Sequence, residues 1–192
     1  IEASVFNKAN AYVVFTGYQT GDKNAYVYKT SDFGASWKSI VTPDIYGFAR
    51  NIQADYENEN LLFLGTEFGL FITLNGGKNW YKFTKNMPAA NVHFIELHKK
   101  TNDLVIATHG RGIIIIDDIS PLRQLTEENM NKELHFFTAK PTNIAETNGF
   151  GSTSTETQFV GENPSSAARI VYYLKKRHTL GKMTLEIQDA NG

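Results

Sequence analysis

The chain has 192 residues, 41% of them hydrophobic, with 19 basic and 20 acidic side chains and a formal net charge of -1. That length holds one large or two small domains with a packed core. The balanced charge argues against nucleic acid or an anionic membrane as the partner, because both select basic surfaces. The lack of cysteine excludes disulfides and thiolate metal sites, and the longest apolar run, residues 112 to 118, has only four consecutive isoleucines. A membrane-spanning helix needs roughly 20 apolar residues, so no span is predicted.

Both ends of the sequence suggest a larger protein. The chain opens on IEASVF, with neither an initiator methionine nor a signal sequence, and stops at DANG. Asn-Gly predicts a hairpin turn, but no returning strand follows it. We therefore expect the chain to be a fragment.

The main organising feature is a repeat. The segment YKTSDFGASW, residues 28 to 37, returns as FITLNGGKNW, residues 71 to 80, at an offset of 43 residues. The same offset lays residues 61 to 73 on 104 to 116 without a gap, whereas the start of the first repeat needs an offset of about 50, because residues 18 to 25 lengthen one hairpin. Three repeats result. Two of them share the pattern T-x-D/N-x-G-x-x-W, carried by Thr30, Asp32, Gly34 and Trp37 (the first box) and by Thr73, Asn75, Gly77 and Trp80 (the second box).

Each repeat predicts four short strands. In the second repeat they fall at residues 50 to 56, 61 to 67, 69 to 74 and 79 to 83, and residues 1 to 120 show no helical periodicity. Four strands per repeat of this length is the pattern of β-propeller blades. We predict an all-β fold in which residues 1 to 122 form three four-stranded blades of a partial propeller.

The third repeat lacks the box. Ile116, Asp118, Ser120 and Arg123 stand at the box positions, and Pro121 is expected to interrupt the outer strand at a sheet edge. Loss of the pattern is typical of a terminal repeat, so the propeller is predicted to end near Leu122.

Each box is predicted to stabilise a hairpin turn between the third and fourth strands of its blade. Asp32 and Asn75 would accept hydrogen bonds from the turn, the glycines would take positive φ, and the tryptophans would pack beneath it. The eight box residues are therefore interpreted as structural.

The rest of the chain predicts a linker and a second domain. Residues 123 to 145 are the linker, with one helical turn, and residues 146 to 157 are a Gly-, Ser- and Thr-rich loop. Strands are predicted at 167 to 176 and 181 to 192.

The boxes resemble the Asp-box, or bacterial neuraminidase repeat, of sialidases, some xyloglucan-degrading propeller hydrolases and the sortilin family. THGRGIIIIDDISPLRQL, residues 108 to 125, with GENP at 161 to 164 and the YYL strand, resembles the carboxyl-terminal part of large bacterial sortilin-like proteins, often labelled glycosyl hydrolases. The resemblance implies a secreted or cell-envelope protein whose boxes lie away from the ligand. It also implies that residues 146 to 192 begin an immunoglobulin-like β-sandwich.

Blade geometry predicts where a ligand binds. Turns between the second and third strands share one face with the links between blades, and the box turns lie on the opposite face. On the first face, which we call the loop face, aromatic and charged residues suit a sugar or a peptide. The candidate ligand-binding residues there are Tyr18, Tyr46, Arg50, Glu67, His109 and Arg111.

Each candidate has a structural alternative. Glu67 near His109 could perform general acid and base catalysis, or the two could form a surface ion pair. Arg111 could bind a carboxylate through both nitrogens, or pair with a neighbouring acid.

No metal or cofactor is predicted. His93, His98, His135 and His178 have no metal-ligand spacing, and the sequence lacks a phosphate-binding glycine loop, a nucleophile elbow and an HExxH motif.

Two function classes follow. The first is a module that binds a peptide, a protein or a glycan, with the remainder of its own chain as the other partner. The alternative is a propeller glycoside hydrolase whose catalytic carboxylates lie mostly outside this fragment. Binding is favoured, because the loops offer no clear acid and base pair.

Overall fold

The computed structural model describes residues 1–141 and 167–189. The chain forms two compact units, Ile1–Thr126 and Glu127–Gly192. The fold is all-β with few helices, as predicted. The strands are β1 Glu2–Ala3, β2 Ala11–Phe15, β3 Tyr26–Thr30, β4 Lys38–Ser39, β5 Ala49–Ala54, β6 Leu62–Thr66, β7 Gly69–Thr73, β8 Tyr81–Lys82, β9 Asn91–His98, β10 Asp103–His109, β11 Ile113–Ile116, β12 Leu134–Phe136 and β13 Tyr172–Leu174; the short helices are α1 Ser120–Arg123 and α2 Glu127–Asn131, and Tyr18–Thr20 form a 3-10 turn.

The first unit consists of antiparallel sheets whose strands follow chain order. The first sheet is β1-β2-β3-β4, the second is β5-β6-β7-β8, and the third is β9-β10-β11. This succession of short meanders is propeller-like. The third sheet has three strands where four were predicted, because the chain forms α1 after β11. Pro121 lies in the first turn of that helix, where its missing N–H is not needed.

The second sheet is buried on both faces. Alternate residues of a strand point to opposite faces, and every residue of β6 is buried. Leu62 and Leu64 pack with residues of the first sheet, whereas Leu61 and Phe63 pack with residues of the third. Gly65 permits close approach to the third sheet, because a Cβ there would lie 2.6 Å from Val92 Cγ1.

Strand pairing corrects the ungapped match between the second and third repeats. Leu62 pairs with Thr73 in the second sheet, and Leu104 pairs with Ile116 in the third. Thr73 and Ile116 are 43 residues apart, but Leu62 and Leu104 are 42 apart. The connection before β10 is therefore one residue shorter than the connection before β6. The turn after β10 is one residue longer than the turn after β6. The sequence match aligned β10 one residue out of register, which exchanges the two faces of the strand.

The first box forms a hydrogen-bonded turn between β3 and β4. The hydroxyl of buried Thr30 donates to Asp32 Oδ1 over 2.7 Å and accepts from the N–H of Gly34 over 2.9 Å. Asp32 also accepts from the Ser36 hydroxyl at 2.5 Å and the Ser36 N–H at 2.9 Å. These bonds, the Ser36 hydroxyl foremost, lower the pKa of Asp32 to about 2.

The second box repeats this network without the charge. Thr73 donates to Asn75 Oδ1 over 2.9 Å and accepts from Gly77 N–H over 3.0 Å, while Asn75 Oδ1 accepts from Asn79 N–H over 2.9 Å. Trp80, which ends this box, is 2% exposed, whereas Trp37, which ends the first, is 41% exposed. Only the second tryptophan is thus packed beneath neighbouring structure.

A buried ion pair holds α1 against the second sheet. Arg123 Nη2 lies 2.8 Å from Asp55 Oδ1, and its Nε donates to Asp55 Oδ2 over 2.9 Å; the two side chains are 7% and 0% exposed. The guanidinium also lies over the ring of Tyr56, 4.6 Å from its centroid. Arg123 occupies the sequence position equivalent to Trp80, and it too contacts the preceding sheet.

Among its described residues, the second unit contains α2 and the antiparallel pair of β12 with β13. The strand predicted from residue 181 is not formed through Asp189. The Gly-, Ser- and Thr-rich loop, GENP and residues 190–192 lie outside the described residues. No helix within the described ranges is long and apolar enough to cross a membrane.

Candidate functional site

Two β-bulges at equivalent repeat positions form the centre of the loop face. In β5 the pairing with β6 passes over Arg50, between Ala49 and Asn51. In β9 the pairing with β10 passes over His93, 43 residues further along the chain. A bulge redirects the side chain of its extra residue and is common beside functional sites. Arg50 and His93 are thus presented by neighbouring sheets in the same way.

Arg50 lies against aromatic rings and lacks a counter-ion. Its guanidinium carbon is 4.6 Å from the ring centroid of Tyr18 and 4.9 Å from that of Phe48, and these two rings stack at 5.1 Å. Its buried Nε has no hydrogen-bond partner. Within residues 1–141 and 167–189, no carboxylate forms an ion pair with Arg50. The guanidinium is therefore fixed by the rings and keeps donors available for a ligand.

His93 and His109 stack with a centroid distance of 5.6 Å and an interplanar angle of 25°. The pKa of His93 is lowered, and the main cause is a partial loss of hydration, although the residue is exposed overall. The positive charges of Arg50 and His109 lower it further. His93 was weighed in the sequence only as a metal ligand. Its 43-residue spacing from Arg50 is the signal that identifies its place in the site.

Glu67 and Asn91 add polar atoms without partners at the same end of the sheets. Glu67 Oε2 and Asn91 Oδ1 are buried and accept no hydrogen bond. The N–H of Glu67 donates to the carbonyl of Phe48 over 3.0 Å, which places the residue beside the Arg50 segment. Because β10 is aligned with β6 at an offset of 42 residues, Glu67 and His109 are equivalent residues of the two repeats. Glu67 directly follows β6, and His109 is the last residue of β10.

Within the described residues, neither Tyr46 nor Arg111 forms a hydrogen bond, an ion pair or a ring contact with Arg50. Tyr46 packs on exposed Phe68 with ring centroids 5.6 Å apart, and its hydroxyl oxygen accepts a hydrogen bond from Lys82 Nζ over 2.6 Å. Gly47 makes this packing possible, since its φ is +75° and a Cβ there would lie 2.7 Å from the Phe68 ring. Arg111 is exposed in the β10–β11 turn. The structure therefore places Arg50 against Tyr18 and links Arg50 to His109 through His93. It does not bring all six candidate residues into one group.

A second polar group lines the first strands of the three sheets. Glu2, Gln53 and Glu96 border a cavity of about 230 Å³, and Arg50 also lines this cavity. Glu2 Oε1 accepts from Gln53 Nε2 over 2.8 Å, and burial, followed by the charge of Glu96, raises the pKa of Glu2. Two carboxylates on separate sheets therefore share one cavity, a pairing that the sequence did not reveal.

Metal binding has no support in the described residues, where no group of three or more His, Asp or Glu side chains is placed to hold an ion.

The box turns lie at the opposite end of the sheets from Arg50, because they connect β3 to β4 and β7 to β8.

Comparisons with known proteins give distant structural neighbours. No protein-family model matches the chain, and no curated protein matches it. The GH74 enzyme of Niastella koreensis is similar over 61% of this chain and 20% of its own, with 20% identity and a TM-score of 0.49. YCF48 bound to D1 peptide is similar over 48% of this chain and 44% of its own, with 17% identity and a TM-score of 0.27. The chain thus spans a fifth of the first protein and under half of the second.

Proposed function

We propose that this chain is a ligand-binding module whose loop face binds an acidic group, a carboxylate, of a peptide, protein or glycan. The observation that carries the proposal is Arg50, whose charge lies against two rings and forms no ion pair with a carboxylate of the described residues. Glu2 and Glu96 line the same cavity as Arg50 but do not form an ion pair with it. A ligand carboxylate would therefore add charge-assisted hydrogen bonds that the guanidinium does not make to a carboxylate of the described residues.

The neighbouring histidines support the same ligand chemistry. The pKa of His93 is lowered by partial loss of hydration and, to a smaller extent, by the charges of Arg50 and His109. A bound anion would reverse that effect, because an opposite charge within a few ångströms stabilises the imidazolium. Arg50, His93 and His109 would then act together on one acidic group, and Tyr18 would border it.

We further propose that the three sheets are the last blades of a larger Asp-box propeller in a secreted or cell-envelope, sortilin-like protein. The support is the 43-residue repeat, the matching networks of the two boxes and the meander order of the sheets. In this interpretation residues 1 to 122 belong to the propeller and 123 to 145 to a linker. Residues 146 to 192 begin an immunoglobulin-like domain, and the remaining blades belong to the same polypeptide.

The binding proposal is tested by removing the charge of Arg50. Peptides with a free terminal carboxylate, their amides, and acidic and neutral oligosaccharides are screened for binding to the wild type and to Arg50→Gln. We expect carboxylated probes to be preferred and to bind Arg50→Gln at least about tenfold more weakly, because a lost charge-assisted bond is worth roughly 1.5 to 3 kcal/mol. Arg111→Gln removes the same charge from an exposed position on this face and is the matched control. Equal binding to Arg50→Gln and to the wild type would contradict the proposal.

Glycoside hydrolysis is the second candidate, favoured by Glu2 and Glu96. A carboxyl group with a raised pKa near a second carboxylate can act as a general acid. Release of reducing sugar from plant and host glycans, abolished by Glu2→Gln and by Glu96→Gln in folded protein, would support it. Binding of the same glycans without any release would reject it.

A further inference from the structure

One cavity brings Arg50 together with two carboxylates. Glu2 on β1, Arg50 on β5 and Glu96 on β9 border the same space of about 230 Å³. Neither carboxylate forms an ion pair with Arg50. The cavity therefore offers positive and negative charge at separate places, an arrangement that is complementary to a ligand carrying both charges.

The negative part of the cavity is held in position and is open to a donor. Glu2 Oε1 accepts hydrogen bonds from Gln53 Nε2 over 2.8 Å and from the N–H of Ala54 over 3.3 Å. Glu2 Oε2 and the carboxylate of Glu96 accept none from the described residues. Burial, and then the charge of Glu96, raise the pKa of Glu2. Two ionised carboxylates in one partly buried space repel each other, and a bound cation would lower that cost.

Two cations of the described residues act on Glu2. Lys99 is one of them, but its Nζ lies over the ring of Tyr56, 5.8 Å from the centroid, and Lys99 does not border the cavity. The other is the terminal amino group of Ile1. In the larger polypeptide proposed above, Ile1 is joined to a preceding residue and carries no such charge. The two carboxylates would then depend on a ligand for their counter-charge.

We propose that this cavity binds the basic side chain of a carboxyl-terminal lysine or arginine, while Arg50 binds the α-carboxylate of the same residue. The inference rests on the proposed carboxylate site and names its ligand, which is the end of a peptide.

The spacing of the two charged parts fits such a residue. Arg50 and Gln53 lie three residues apart, roughly 10 Å along β5, and Gln53 holds Glu2 at the far end. A basic side chain reaches across this distance on its flexible stem. Val14 and Phe94 also border the cavity, and an aliphatic stem packs on apolar surface while its charge reaches polar groups. A carboxylate, an apolar stem and a cation in one residue favour a peptide end over a glycan.

The test compares peptides that differ only in their last residue. Acetylated Gly-Ser-Gly peptides that end in lysine or in norleucine, each as the free acid and as the amide, are titrated into the full polypeptide by isothermal titration calorimetry. Norleucine keeps the four-carbon stem of lysine and lacks its ammonium group. The variants are Glu96→Gln and the double variant of Glu2→Gln with Glu96→Gln. Glu59→Gln is the matched control, because Glu59 is an exposed acid in the β5–β6 turn, at the opposite end of β5 from Arg50.

We expect the lysine acid to bind at least about tenfold more tightly than the norleucine acid, because a charge-assisted hydrogen bond is lost with the ammonium group. Glu96→Gln should reduce this ratio and the double variant should abolish it, while both bind the norleucine acid at least as tightly as the wild type does. Glu59→Gln should keep the wild-type ratio. Equal binding of the two acids to the wild type, or a ratio that the double variant retains, would overturn the inference.

The amides distinguish this inference from the carboxylate site on which it rests. If the two acids bind equally but each binds more tightly than its amide, the carboxylate site stands and only the preference for a basic side chain is rejected. If each acid binds no better than its amide, the carboxylate site fails and this inference fails with it.

Discussion

The indole N–H of Trp80 donates a hydrogen bond to the backbone carbonyl of Ile40, 2.9 Å away in the preceding sheet. The last residue of the second box thus joins two sheets. Trp37 holds the same place in the first box, but its ring is largely exposed in this chain.

Replacement of the two tryptophans should show how much the buried position of Trp80 contributes to stability. In the 192-residue chain, Trp80→Ala is expected to lower the free energy of unfolding by about 3 to 5 kcal/mol, because it removes a buried aromatic ring. Trp37→Ala serves as the matched control and should lower it by less than half as much. Urea unfolding followed by circular dichroism measures both values. Equal losses would show that exposure does not distinguish the two positions.

The ion pair between Arg123 and Asp55 predicts a large effect from a single truncation. Arg123→Met leaves the fully buried Asp55 carboxylate without its partner. Removal of one member of a buried pair costs about 3 to 5 kcal/mol. The control is Lys132→Met, which breaks an exposed pair with Glu128 and should change the free energy of unfolding by less than about 1 kcal/mol. If Arg123→Met unfolds at the wild-type urea concentration, the ion pair does not hold α1 in place.

Asp32 should make stability depend on pH in acid. Its pKa in the folded chain is about 2, below the value of about 3.9 in an unfolded chain. The stabilising contribution of its charge is therefore complete above about pH 4 and is lost as the pH falls through about 2. Asp32→Asn keeps an acceptor, as Asn75 does in the second box, but cannot titrate. The difference in melting temperature between wild type and Asp32→Asn should change over this acid range; a difference that is constant from pH 5 to pH 2 would contradict the prediction.

Ligand affinity should rise as the pH falls. The pKa of His93 is below its ordinary value in the unliganded chain, and an acidic ligand favours the imidazolium. Affinity for a carboxylated probe should therefore increase below about pH 6.5, while the amide of the same probe shows no such increase. His93→Gln should flatten the pH profile and leave the preference for a carboxylate, which Arg50 provides. A profile unchanged in His93→Gln would exclude His93 from the site.

The repeat was the strongest predictor of the fold. The 43-residue spacing of the boxes identified antiparallel sheets, and the sequence placed the four strands of the second repeat within about two residues of their observed ends. It succeeded because the hydrogen bonds of a box are local: Thr30, Asp32 and Gly34 lie within five residues of each other. Local contacts of this kind leave a direct pattern in the sequence.

The sequence placed β10 one residue out of register and predicted a strand where Ser120–Arg123 form a helix. Both errors have one cause. An ungapped offset cannot detect that one turn is shorter and the next turn longer by one residue. It also cannot detect that Arg123 forms an ion pair with Asp55, 68 residues earlier in the chain. Such features depend on partners that are distant along the chain.

The sequence by itself determined the repeat, the all-β class and the chemistry of the box turns, since these follow from periodicity and short-range hydrogen bonds. Only the tertiary structure decided which loop residues meet. It placed Arg50 beside His93 through two bulges and left Arg50 without an ion pair among the described residues. It also buried Trp80 while leaving Trp37 exposed. The physical reason is that burial and electrostatic environment come from neighbouring sheets, and strand alternation alone does not specify which sheet lies next to which.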